Sequence, residues 1–255
     1  MNIFLVIFLV LLFVLIGRIS FILAIKRDST AHHKFRKLLA LHNLYLLNPL
    51  VGKRTYFKYG IAMLLSVIAG VLFYFIINSF YLYNLANLTI FIHVAFVFSA
   101  LSLLLYLAIY DLLYYEIPIQ PLYSYLGLVI VFNIFSALIS VISAERIFIL
   151  GNPANLLSGI TLGLIFYVVV KLTKEQGMGM GDVYLMLAVG LSLGISRSIT
   201  AYLLTLLLAS IFGILVSFAK RKFHRTLIPL VPFIFLGFSL SLAISESFIS
   251  IFRLF

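Results

Sequence analysis

The sequence predicts an all-α, polytopic membrane protein with about eight transmembrane helices and both termini outside. Three observations carry that prediction. Of 255 residues, 64% are hydrophobic and only 10% charged, whereas a soluble domain carries about 25% charged residues. Apolar stretches close to the roughly 20 residues that cross a bilayer as helix recur along the whole chain. The Lys and Arg residues between those stretches fall mostly on alternate loops. Abundant Leu, Ile, Val and Phe exclude a disordered chain. Residues 1–255 therefore read as a single integral membrane domain.

The first stretch, Ile3–Ile25, lacks a basic lead-in and a small-residue cleavage site, and Lys26 and Arg27 follow it directly. It reads as an anchor rather than a cleaved signal. The others run near Ile61–Leu82, Leu88–Tyr110, Leu122–Ser143, Asn155–Leu172, Asp182–Ile195, Ser198–Ala219 and Ile228–Phe252. The loop Lys26–Lys58 holds eight basic residues: Lys26, Arg27, Lys34, Arg36, Lys37, Lys53, Arg54 and Lys58. Lys171, Lys174, Lys220, Arg221, Lys222 and Arg225 join them on the same side, against Arg146, Arg197 and Arg253 opposite. That bias makes the first loop cytoplasmic. The net charge of +11 thus reports orientation and contact with anionic membrane lipid. No nucleic-acid partner is expected.

The absence of cysteine excludes disulfides, thiolate zinc sites and cysteine nucleophiles. Among seven acidic residues, Asp111 and Asp182 stand at the ends of apolar stretches. An ionisable group in a span costs about 2.5–3.5 kcal/mol on insertion scales, so each needs a reason to be there. The charge count alone puts both at the cytoplasmic ends of their helices. Asp182 to Arg197 covers about 24 Å as helix, short of a hydrocarbon core of roughly 30 Å. Either the bilayer thins there, or the glycine-rich segment before Asp182 dips below the surface beside a wet cavity. Two neighbouring carboxyls share one proton and titrate as a pair. The ionised member then takes a proton from water, and the protonated member donates to a peptide carbonyl. Read without catalysis, the two aspartates are interfacial caps.

Gly177-Met-Gly-Met-Gly-Asp182 adds to this. Gly177, Gly179 and Gly181 let a second chain approach closely. The flanks carry more: Lys174-Glu-Gln-Gly precedes the segment, and Gly190 and Gly194 lie eight and twelve residues after Asp182. Upstream stands Asp111-Leu-Leu-Tyr-Tyr-Glu-Ile-Pro118, and downstream Ile228-Pro-Leu-Val-Pro-Phe-Ile-Phe-Leu-Gly237. In this order, over about Asp111 to Gly237, the three segments resemble the bacterial type IV prepilin peptidases.

The resemblance implies a membrane aspartic endopeptidase of the Gly-x-Gly-Asp type, with Asp111 and Asp182 as the catalytic pair. Gly177, Gly179, Gly181 and Pro118 would border the substrate. Its partners would be type IV prepilins or pseudopilins, whose basic leader is cut after a glycine at the cytoplasmic face of the cell membrane. Proteolysis implies no metal and no cofactor. S-adenosylmethionine enters only if the methyl transfer of the bifunctional members is retained. Many members carry a four-cysteine zinc insert in the first loop, which this chain lacks. Tyr184 stands where a Lys is usual, removing a cation beside the pair, and Ile119 replaces the usual Asp or Asn after Ile-Pro.

His32, His33 and His42, without neighbouring Cys or acids, read as a solvated loop surface, and His93 as a packing residue inside its span. Arg18 lies within reach of the cytoplasmic headgroups by snorkelling. Tyr110, Tyr114 and Tyr115 fit an interfacial belt, and Tyr110 and Tyr114 also fit a site lining. The presenilin class shares Tyr-Asp and Gly-x-Gly-Asp but needs a Pro-Ala-Leu segment, which Pro229-Leu-Val-Pro232 is not. Two alternatives from other classes stay open: a non-catalytic homologue, and a proton-coupled transporter using the two membrane aspartates.

Overall fold

The computed structural model describes residues 3–27, 53–81, 87–143, 154–173, 179–220 and 228–244. Over these the chain is all-helical, with eight helices in the order α1 (Ile3–Arg27), α2 (Lys53–Tyr81), α3 (Asn87–Tyr114), α4 (Ile119–Ser143), α5 (Ala154–Thr173), α6 (Met180–Leu193), α7 (Ile195–Lys220) and α8 (Val231–Ala243). Six of them, α1 to α5 and α7, are long and apolar enough to cross a membrane. The other two are short. At 1.5 Å per residue, α6 extends about 21 Å and α8 about 20 Å, less than the roughly 30 Å core.

The short α6 follows from its glycines. Gly194 closes it with φ of +75°, and its amide returns to the Gly190 carbonyl. A single glycine in that conformation ends one helix and lets the next begin. The outer connection expected between Ile195 and Ser198 is thus one residue, and Arg197 lies buried in the first turn of α7. For α8, expected from Ile228, the prolines decide the start. Pro229 disfavours helix at the residue before it, and Pro232 lacks an amide, so it suits a first helical turn. The helix accordingly begins at Val231, and residues 245–252 of the expected stretch lie outside the described residues.

α3 lies at the centre, packing against α1, α2, α4 and α8. One end of its core is a trio of rings, Phe13 of α1, Phe73 of α2 and Phe98 of α3, with centroids 5.4–5.6 Å apart. Phe96 of α3 stacks on Phe132 of α4 at 3.8 Å, and the buried His93 meets the same Phe132 edge-on. Apolar side chains on the opposite faces of α1, α5 and α7 remain exposed. Because lipid is as apolar as they are, it leaves close packing and polar bonds to hold helix on helix.

Both are present around α6. Gly190 meets Gly159 of α5 so closely that a Cβ on it would stand 2.8 Å from Gly159 Cα and 2.9 Å from the Ser158 carbonyl oxygen. On its other side, the Tyr125 and Ser192 hydroxyls of α4 and α6 are 3.0 Å apart. Asn133 Nδ2 donates to the Leu191 carbonyl at 3.1 Å. Such bonds contribute about 0.6 kcal/mol each on average. The crowding contacts at Gly190 are backbone, so Gly190→Ala forces the α5–α6 pair apart. We expect it to lower stability by about 1–3 kcal/mol in thermal unfolding in detergent. Gly127→Ala on α4, where nothing lies within 4 Å, should be tolerated.

Candidate active site

The site lies where α3 ends, α4 and α6 begin and α8 starts. Asp111 sits one turn before the end of α3 and is buried, 5% exposed. Its Oδ2 accepts the Val231 amide of α8 at 2.9 Å, and the Leu230 amide is also directed at it. The start of a helix leaves amides without intrahelical partners, and here each is accounted for. Val231 donates to Asp111, Pro232 has no amide, and Phe233 and Ile234 both donate to the Leu230 carbonyl at 3.0 and 3.1 Å. Asp111 therefore caps α8 from 120 residues away.

Asp182 does the same for its own helix. Its Oδ2 accepts the Gly179 amide at 3.0 Å, while its own amide donates to the Gly179 carbonyl at 3.2 Å. Gly179 is extended and exposed, with φ of −92° and ψ of 168°. Both of its backbone polar groups are taken by Asp182, so it offers an open surface rather than a free strand edge. Asp182 is half-buried. The two carboxylates are within electrostatic reach of one another. Both aspartates thus hold backbone amides at helix starts, and the two carboxylates lie at the same end of the bundle.

The segments around the two aspartates touch directly. A Cβ on Gly181 would stand 3.1 Å from Cβ of Ile117, so the bend before α4 rests on the glycine segment before α6. Pro118 is buried and its carbonyl accepts the Leu122 amide at 3.2 Å, which starts α4. Gly177 lies outside the described residues, as do His32, His33 and His42. Tyr110 packs on Tyr114 with centroids 4.7 Å apart. Tyr184 is exposed, with Tyr123 of α4 edge-on at 6.4 Å.

Three participants escaped sequence reasoning. The Val231 amide has no side-chain signature, although Pro232 marks a helix start that needs an outside cap. Ile117 was read only as part of Ile-Pro. Lys58, counted among loop charges, belongs to the second turn of α2 and lies within electrostatic reach of Asp111. Among the described residues no group of three His, Cys, Asp or Glu could hold a metal ion.

Two carboxylates, each fixed through one oxygen by a backbone amide, can act as a general acid–base pair on a bound carbonyl. Comparison with known proteins bears on the same segment. No curated protein and no solved structure matches the chain. Residues 98–218, just under half of its length, match the model of the type IV leader peptidase family. The stretch that carries both aspartates is thus similar to the type IV leader peptidase family.

Proposed function

We propose that the protein is a prepilin leader peptidase, a membrane-embedded aspartic endopeptidase with Asp111 and Asp182 as its catalytic pair. Its substrates are type IV prepilins or pseudopilins, cut after the glycine that ends their basic leader. The cut falls at the cytoplasmic face of the cell membrane, the side to which the Lys and Arg distribution assigns this end of the bundle. The observation that carries the reading is the meeting of two membrane aspartates at one end of the bundle, with Ile117 seated on Gly181.

The chemistry follows from how each carboxylate is held. Asp111 and Asp182 each commit Oδ2 to a backbone amide, which fixes the orientation of the second oxygen. One carboxylate, ionised, takes a proton from water as the water oxygen attacks the scissile carbonyl carbon. The other, protonated, donates to the carbonyl oxygen as it gains charge. The tetrahedral adduct collapses with cleavage of the C–N bond, and the leaving amine takes a proton from the pair. Asp111 is sealed and Asp182 half-open, so water and substrate approach from the α6 side, past the exposed Gly179. Gly181 and Ile117 hold the two carboxylate-bearing segments together behind it. Methyl transfer from S-adenosylmethionine is attached by resemblance to the N-terminal region, where residues 28–52 lie outside the described residues.

The test is leader cleavage of a co-expressed prepilin in membranes at matched expression. Asp111→Asn and Asp182→Asn should each lower the rate by about 10²–10⁴-fold; a variant that cuts at the wild-type rate removes the pair from the mechanism. Stability separates capping from catalysis. Asp111→Asn keeps an acceptor oxygen for the Val231 amide and should unfold within about 1 kcal/mol of the wild type. Asp111→Ala orphans that buried amide and should cost about 1–3 kcal/mol, measured by thermal unfolding in detergent.

A further inference from the structure

Lys58 lies outside every motif that carries the resemblance, yet its ammonium group reaches the end of α3. It donates to the Leu113 carbonyl at 2.8 Å and stands 4.9 Å from the centroid of the Tyr115 ring. Its charge acts on the Asp111 carboxylate as well. All three contacts fall on residues 111–115, the last turn of one helix, and they come from another helix 55 residues earlier.

That turn is strained. Tyr115 has φ of +59°, the one non-glycine residue with positive φ among those described. Its amide donates to the Asp111 carbonyl at 2.8 Å. This is the left-handed closure of a helix that glycine usually makes, and a side chain disfavours it. Such a conformation persists only where its surroundings over-determine it. Lys58 supplies what is needed. It satisfies a carbonyl that the helix end leaves without an intrahelical partner, brings positive charge to the negative end of the helix dipole, and holds the Tyr115 ring by a cation–π contact. The turn it grips leads directly into Ile117, which rests on Gly181.

We propose that Lys58 is a positioning residue of the aspartate site: a latch from α2 that holds the last turn of α3, and with it Asp111 and the Ile117–Pro118 bend, in register with the Gly181–Asp182 segment. Its effect on cleavage rests on the peptidase reading; its hold on the turn does not. The latch acts by charge and by hydrogen bond together, so Arg can replace Lys and an apolar side chain of similar length cannot.

The absence of native cysteine allows a clean two-part test on the full chain. A nitroxide attached at Glu116→Cys, an exposed position in the turn, reports local motion through its line shape. Lys58→Met should raise the mobile component, Lys58→Arg should leave it near wild type, and Tyr115→Gly placed on Lys58→Met should return it toward wild type by removing the strain. In the unlabelled chain, Lys58→Met should lower kcat of prepilin cleavage by about 10–100-fold, as a small misplacement does, with KM changed by less than about twofold. Lys58→Arg should restore kcat. An unchanged line shape in Lys58→Met overturns the latch whatever cleavage does. A mobile turn with unchanged kcat overturns the positioning role, as does failure of Arg to rescue a folded protein. Should Lys58→Met not accumulate, wild-type mobility in Tyr115→Gly and Lys58→Arg supports the latch, and a turn loosened by Lys58→Arg overturns it. If the wild type cleaves no prepilin, the peptidase reading falls, while the line shapes still decide the latch.

Discussion

The hydrogen bond from the Val231 amide to Asp111 is the constraint on which the rest of the architecture depends. A helix that starts inside a membrane protein must satisfy its first amides without water. α8 does so with one proline, one local carbonyl and one carboxylate from α3. That solution fixes the depth and direction of α8 against the central helix. It also fixes the rotamer of Asp111, and so decides where the remaining carboxylate oxygen can point. The same economy operates at Asp182, whose carboxylate caps the helix that carries it. The proposed chemistry draws on the same two side chains.

Much of this was legible because it is local. Apolar length and the alternation of basic loops gave the helices and the shared end of the two aspartates. The spacing from Asp182 to Arg197 exposed α6 as too short to cross, but its end at Gly194 was not read from the sequence, where Gly190 and Gly194 entered only through the resemblance. Helix starts were less legible. α2 begins at Lys53 rather than near Ile61, because hydropathy registers where lipid begins and not where backbone hydrogen bonding begins. Lys58 was therefore read as a loop charge. Its contacts with Leu113 and Tyr115, like the Asp111 cap, join residues far apart in the chain. No periodicity or local motif encodes such a pairing; it exists only once the helices have packed.

The two short helices divide the labour of the bundle. α6 is wedged by Gly190 against α5 and tied by Tyr125 and Asn133 to α4, so the Asp182 side of the site is held by close packing. α8 lies between α3 and α7, with Thr205 Oγ1 of α7 donating to the Phe233 carbonyl at 3.3 Å. The Asp111 side is held by polar bonds at the helix start. α7 joins both, through Gly194 at one end and through Thr205 along its length, while turning most of its surface to lipid.

The long sequence separation of the Asp111 cap has a consequence in time as well as in space. During synthesis α3 enters the membrane with its carboxylate long before the chain that supplies the capping amide has been made. Until residues 228–234 arrive, the Val231 amide that Asp111 accepts is missing, and the constellation around it cannot close. Contacts of such high sequence separation are late ones by nature. The order of translation thereby leaves the proposed site unassembled in a half-made chain.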